Sequence, residues 1–180
     1  MTYPVFASGD VLNASDMNGV GSWLVASGSN SNTTSLVIDN CFSSDYAHYR
    51  IVFTATGGAA GTADAFVQFR VGSTPTATNY FYNTIFSSNT AGPSRAYLAT
   101  QTSGQIGNFG LERSTIVCDV FNPQVAATTN WVTQWQGWGS TANFVGTTQG
   151  YQTSSNQHTG FQITCSSAFT GTARVYGYRN

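Results

Sequence analysis

From residue 35 onward, apolar and polar side chains alternate with a period of two, which is typical of β-strands that bury one face. The strand-like runs are 49–56, 65–71, 80–86, 96–100, 115–121, 131–138, 144–148, 161–165 and 173–178. Clusters of Gly, Ser, Thr, Asn and Pro separate these runs, and no internal repeat of fixed period is visible. Many short strands with turn signals between them predict an all-β fold, a jelly-roll-like β-sandwich.

Some of these runs carry apolar residues on both faces of the strand. Examples are Tyr80-Phe81-Tyr82 and the segment 131–138, which contains three tryptophans. A sheet with one face in water shows a cleaner alternation, so we expect the second face of these strands to be covered. Long loops, the N-terminal segment and neighbouring copies of the chain are the alternatives, and we favour neighbouring copies.

The first part of the chain has a different pattern, with the only clear helix signal. Asn13 is a good N-cap, and Asp16 follows three residues later, where a carboxylate favours a helix N-terminus. Leu12 and Met17 stand at the two positions of a hydrophobic staple. Gly19 and Gly21 weaken a continuation. These features predict a short helix that ends near Trp23 to Val25.

A stretch rich in Ser, Gly and Asn follows at residues 27–32, and its composition is typical of a flexible linker. We therefore divide the chain into an N-terminal arm with helix and linker, residues 1–32, and a jelly-roll β-sandwich domain, residues 33–180.

The composition is apolar but almost uncharged, with 41% hydrophobic, 14% aromatic and only 7% charged residues. Average proteins contain about 25% charged residues, so the surface is polar without being ionic. Such a surface repels its own copies weakly and tolerates dense assembly. The net charge is −1, and six scattered arginines with no lysine do not form a phosphate-binding stripe, so we expect no nucleic-acid partner.

No run approaches 18 apolar residues, and the first residues lack the pattern of a secretion signal, so we expect synthesis in the cytoplasm without membrane insertion. The three cysteines have no CxxC spacing. Cys118 and Cys165 alternate in phase with apolar neighbours, so we interpret them as small buried hydrophobic residues, with no zinc site or disulfide.

Groups that could perform catalysis are few. His48 and His158 have no second histidine or carboxylate at ligand spacing, so we expect no metal or cofactor. A glycosidase would need two carboxylates facing each other, and the sequence leaves such a pair open. Within residues 33–180 the carboxylates are Asp39, Asp45, Asp64, Asp119 and Glu112. Most lie at strand ends or turns, where Asp ordinarily bonds its own backbone, so we expect no enzyme activity.

Aromatic residues are the remaining candidates for function. Trp131 and Trp135 share one strand parity and are expected to fill the core, whereas Trp138 has the opposite parity and is the better interface residue. Exposed Trp and Tyr anchor interfaces and stack on sugar rings. The candidate residues for a subunit or glycan interface are Trp138, Tyr151, Tyr176 and Tyr178.

Four stretches of the chain carry a resemblance to a known class of proteins. Residues 6–18, FASGDVLNASDMN, look like the G-D-x-L-x-A-x-D-x-N arm that begins many tail-fibre and other virion proteins of tailed bacteriophages. Residues 42–52, 121–123 and 171–178 resemble a domain common in such phages, including phages of cyanobacteria. The arm motif is short, and its combination with the F-S-x-x-Y-x-x-Y-R-I and R-V-Y-G-Y stretches is more specific.

The resemblance implies a jelly-roll-like domain, commonly a homotrimer, on the surface of the virion. It implies that the arm docks to other virion proteins through Asp10, Leu12, Asn13, Asp16, Met17 and Asn18. We therefore expect a non-enzymatic tail appendage or fibre component that is displayed on the particle and takes part in host adsorption. Tail fibres usually carry long shafts that this chain lacks, so a capsid decoration (cement) protein is the alternative. A glycan-binding or depolymerase module is a second alternative.

Overall fold

A computed structural model describes residues 21–56, 63–110, 112–138 and 143–178. The strands are β1 (Ser22–Ile38), β2 (His48–Thr56), β3 (Ala63–Val71), β4 (Thr74–Pro75), β5 (Tyr80–Ser88), β6 (Ser94–Gln101), β7 (Gly104–Phe109), β8 (Arg113–Phe121), β9 (Thr129–Trp138), β10 (Asn143–Gln152) and β11 (Gly160–Tyr178). Within these ranges the fold is all-β, and no helix long and apolar enough to cross a membrane is found.

All strand pairs are antiparallel, and the hydrogen-bonded order is β4-β3-β11-β2-β8-β9-β10-β5-β6, with β1 paired to β11 and β7 to β3. The long strand β11 belongs to both layers of the fold. Its residues 160–165 pair with β3, and its residues 170–178 pair with β2. The curled sheet therefore folds over itself, and the prediction of an all-β, jelly-roll-like β-sandwich is confirmed.

The core lies between the two layers and is rich in aromatic side chains. The largest fully buried ones are Trp131, Tyr49, Tyr80, Phe53, Phe69, Phe109, Phe161 and Phe169. In β9 the alternation is complete, with every odd-numbered residue buried and every even-numbered residue exposed. This alternation places the indoles of Trp131 and Trp135 in the core, as predicted. Buried apolar area of this kind is the main favourable contribution to folding.

Two glycines make room for the largest of these side chains. A Cβ at Gly104 or at Gly150 would overlap the indole ring of Trp131, so neither position accepts a larger residue without a shift of the core. The indole N–H of Trp131 donates to the Gln105 carbonyl oxygen at 3.3 Å, which satisfies its one polar group. Packing at this density fixes the position of β9 and β10.

The start of the described chain differs from the prediction. Residues 22–32 belong to β1, which pairs with β11, so the helix end expected near Trp23 to Val25 and the flexible linker expected at 27–32 were wrong. The side chain of Asn30 helps to hold this segment against β11. Its Nδ2 donates to the Phe169 carbonyl oxygen at 3.1 Å, and its Oδ1 accepts from the Gly171 amide at 2.8 Å. Tertiary pairing thus overrides composition. The predicted boundary at residue 32 falls inside β1, and the predicted helix start lies outside the described residues.

Candidate functional site

The layer that contains β2, β8, β9, β10 and β5 has one face open to solvent. We call it the outer face; it consists of the side chains of β11, β2, β8, β9, β10 and β5 that point away from the core. Several of its apolar residues are well exposed, with relative accessibilities of 55% for Trp138, 53% for Val145, 52% for Ile85 and 38% for Val132. Within the described ranges, no loop or strand buries these side chains.

Strand register places six side chains of the outer face in one line across six strands. We call this line the aromatic row; its members are Tyr178, His48, Phe121, Asn130, Tyr151 and Phe81. The His48 ring stacks on Phe121 with centroids 4.7 Å apart and on Tyr178 at 4.5 Å. Tyr151 stacks on Phe81 at 5.0 Å. These distances match the spacing of neighbouring strands, and Asn130 separates the two stacks.

A charged cluster supports the first stack. Arg50 donates from Nε and Nη2 to the two carboxylate oxygens of Asp119, each at 2.9 Å, and His48 Nε2 lies 3.0 Å from Asp119 Oδ1. Burial by itself would raise the pKa of Asp119, but the hydrogen bonds from Arg50 and His48 outweigh it and lower the pKa. The guanidinium carbon of Arg50 also lies 5.8 Å from the ring centroid of Tyr178. The cluster therefore holds the His48 and Tyr178 rings in place.

An uncharged cleft of about 320 Å³ lies beside the second stack. We call it the amide cleft; the lining residues that matter are Asn83, Tyr97, Asn130, Val132, Gln149 and Tyr151. The register explains the grouping, since Asn83 pairs with Tyr97 on β6 and with Gln149 on β10, which pairs with Val132 on β9. Trp131 and Gly150 lie beneath and form a rigid floor.

The four aromatic residues proposed from the sequence do not form one site. Tyr151 and Tyr178 belong to the aromatic row, and Tyr176 pairs with Arg50 in the next row. Trp138 lies at the other end of β9, eight positions from Asn130 (138 − 130), or about 26 Å along the strand. There it lines a separate cleft of about 420 Å³.

The described aspartates are engaged in separate contacts. Asp39 accepts from the largely buried Arg70 at 2.6 Å, Asp64 accepts from Gln105 at 3.0 Å, and Asp45 accepts from a neighbouring serine hydroxyl at 3.2 Å. Among the described residues, no group of three or more His, Cys, Asp or Glu is placed to hold a metal ion.

The second histidine and the cysteines are buried. His158 is fully buried against Phe69, and burial lowers its pKa to about 4, so the ring is neutral at pH 7. All three cysteines are buried free thiols, as predicted for Cys118 and Cys165. Burial raises the pKa of Cys41 to about 12 and raises that of the other two as well, so these thiols are not nucleophilic at neutral pH.

Sequence reasoning missed the aromatic row because its members are far apart in the chain: His48 and Phe121, which pair directly, are 73 positions apart (121 − 48). A usable signal was present, however. His48, Phe121 and Tyr151 all occupy the polar parity of their strands, where an aromatic ring is out of place in a simple sandwich. The proposed docking residues of the arm lie outside the described residues; they are Asp10, Leu12, Asn13, Asp16, Met17 and Asn18.

Comparison of the chain with models of protein families, with curated proteins and with solved structures finds no match in any of the three.

Proposed function

We propose that this chain is a non-enzymatic structural protein of a tailed-bacteriophage virion, a homotrimeric tail appendage component that is displayed on the particle and contributes to host adsorption. The proposal rests on the resemblance of the arm and of three stretches of the body to phage virion proteins. The structural observation that carries it is the open outer face, since a monomer gains nothing from a broad surface with exposed apolar side chains.

The centre of the outer face is uncharged and continuous. In one cross-strand row Val52, Val117, Gln134, Thr147 and Ile85 follow one another. The next row contains Thr54, Thr115, Gln136, Val145 and Ser87 in the same strand order. Within these two rows no residue is charged, and arginines flank the first row at both edges, where Arg174 pairs with Val52 and Arg95 with Ile85. A neutral, partly apolar centre with a charged rim is typical of protein–protein interfaces.

The direct test of this proposal is the oligomeric state of the protein and of a variant with a charge in the centre of the face. We expect the protein to sediment as a trimer and Val145→Asp to shift it toward the monomer, because burying an unpaired carboxylate in an interface is unfavourable. Val71→Asp is the matched control, since Val71 is a similarly exposed strand valine, at 43%, in the other layer. A monomeric parent protein, or equal dissociation by both variants, would contradict the proposed interface.

The position in the virion is tested separately by locating the subunit in a particle map. Density at the tail supports the appendage, whereas density at threefold positions of the head identifies a capsid decoration protein. That second candidate is favoured by one observation: all strands of the described residues belong to a single sandwich and none to an elongated shaft. Release of reducing ends from host polysaccharide by the purified protein would contradict the non-enzymatic proposal.

A further inference from the structure

We propose that the amide cleft and the adjoining aromatic row bind a neutral glycan chain. This site lies at the opposite end of the outer face from Trp138. The inference goes beyond the proposed function and does not depend on it, because it rests only on the residues of the cleft and of the row.

Two tyrosine rings at the cleft can pack against the C–H groups of a sugar ring. A sugar ring has one face made largely of C–H bonds, which packs against the electron-rich face of an aromatic ring and leaves the hydroxyls at the edge free. Tyr97 and Tyr151 stand at two sides of the cleft and are 67% and 41% exposed. Neither ring is buried in the core, so both are available to a ligand from solvent.

The side chains between the two tyrosine rings match the hydroxyl groups of a sugar. Asn83, Asn130 and Gln149 are exposed, and each amide offers both donors and an acceptor. A hydroxyl group also donates and accepts, so amides match the edge of a sugar at every orientation. A purely apolar partner would leave these three amides unpaired, which argues against an apolar peptide as the occupant.

The lining of the cleft is uncharged, which favours a neutral glycan over an anionic one. None of the residues that line the cleft is ionisable at neutral pH, since the tyrosines are uncharged there. Of the two arginines nearest the cleft, Arg50 is bound to Asp119 through Nε and Nη2, and Arg95 lies two residues before Tyr97 on β6, outside the lining of the cleft. A sulfated or carboxylated sugar in the cleft would therefore lose hydration without meeting a cation in the lining.

Contacts with neighbouring aromatic rings hold the cleft in place before a ligand binds. Tyr151 is held against Phe81 with ring planes only 12° apart, and the strand beneath it rests on the buried indole of Trp131. A side chain fixed before binding loses little conformational freedom on binding, which favours affinity for a weak ligand such as a sugar. The cleft volume of about 320 Å³ lies at the lower end of the range for small-ligand sites, about 300–1,000 Å³.

The direction of the aromatic row predicts the shape of the ligand. The row continues from the cleft past Asn130 to Phe121, His48 and Tyr178, across six strands in total. At about 4.8 Å per strand, five intervals give about 24 Å. A line of this length fits a linear oligosaccharide that crosses the strands better than it fits a single sugar ring.

The test uses the full chain on an array of immobilised neutral oligosaccharides and their sulfated and sialylated counterparts, followed by calorimetric titration with the best neutral oligosaccharide. We expect binding to neutral members. Tyr151→Ala and Tyr97→Ala each lower the affinity by about tenfold or more, as alanine does at a residue central to an interface. Tyr151→Phe keeps most of the affinity, because it keeps the ring. Trp138→Ala, about 26 Å away along β9, keeps all of it.

Three outcomes would overturn the inference: no binding to any neutral oligosaccharide, binding to the anionic ones alone, or binding that Tyr151→Ala and Tyr97→Ala leave unchanged. Thermal unfolding of each variant confirms that the exposed substitutions leave the fold intact. The oligomeric state and the position in the virion are measured independently, so failure of the glycan site and failure of the proposed function are distinguishable.

Discussion

The two faces of β9 show how one strand serves two purposes. On the inner face, Trp131 and Trp135 are 1% and 6% exposed and pack in the core; on the outer face, Trp138 is 55% exposed at the strand end. The residue type is the same, and only the parity differs. Inner-face residues contribute to stability through buried area and close packing, whereas outer-face residues contribute little to stability and are free to meet a partner. The two faces should therefore respond differently to the same substitution.

The largest contrast is expected between two tryptophans of this strand. Trp131→Ala removes a buried indole and leaves a cavity, so we expect the free energy of unfolding to fall by about 3–5 kcal/mol. Trp138→Ala should change it by less than about 0.5 kcal/mol. Chemical denaturation followed by circular dichroism measures both values. Similar losses in the two variants would mean that the outer face is part of the stabilising core.

A smaller effect is expected from adding atoms to the inner face. In Gly150→Ala the new Cβ overlaps the Trp131 ring, so the core must shift, at a cost of about 1–3 kcal/mol. Gly92→Ala is the matched control, because a Cβ at Gly92 meets nothing within 4 Å. Denaturant midpoints compare the two variants. If Gly150→Ala is as stable as the parent, the close approach of β10 to Trp131 is not required.

The smallest effect is expected from protonating the buried side chain of His158. The pKa of His158 is lowered by burial from 6.5 to about 4, so the unfolded chain binds a proton more readily than the folded one between these values. Stability is therefore full above pH 6.5 and falls as the pH drops toward 4, by about 1 kcal/mol at pH 5.5.

Unfolding curves at pH 7.0, 6.0 and 5.0 measure this dependence, and His158→Gln should remove it. The lowered pKa of Asp119 acts in another window, since its contribution is lost only as the pH falls below about 3.8. If the stability of His158→Gln depended on pH in the same way as that of the parent protein, a group other than His158 would be responsible.

The strands with regular alternation could be predicted from the sequence, and so could the parity of the three tryptophans in β9, because both depend on local periodicity. The first half of β1 and all of β7 could not. Both are rich in Gly, Ser, Asn or Gln, residues with low intrinsic preference for strands, and they are ordered by pairing with β11 and β3. The predicted runs 161–165 and 173–178 are one strand, because the segment between them continues β11 from one layer to the other.

The candidate site was only partly accessible to sequence reasoning. Tyr151 and Tyr178 were singled out by residue type, but their distance from Trp138 and their place beside His48 and Asn130 depend on register between strands that lie far apart in the chain. Register of this kind is set by the packing of the buried faces and by turn geometry. Neither can be read from a local sequence pattern.

The pairing of β1 with β11 has a consequence for how the protein reaches its native state. Asn30 bonds to Gly171 across 141 positions, so the first described strand finds its partner only near the end of the chain. Such non-local pairing makes folding slow. During synthesis β1 leaves the ribosome long before β11 does, and we expect its hydrogen-bonding edge to stay unpaired until β11 is released. The native sandwich is therefore completed only when β11 is available, and a chain truncated before residue 160 should aggregate instead of folding partially.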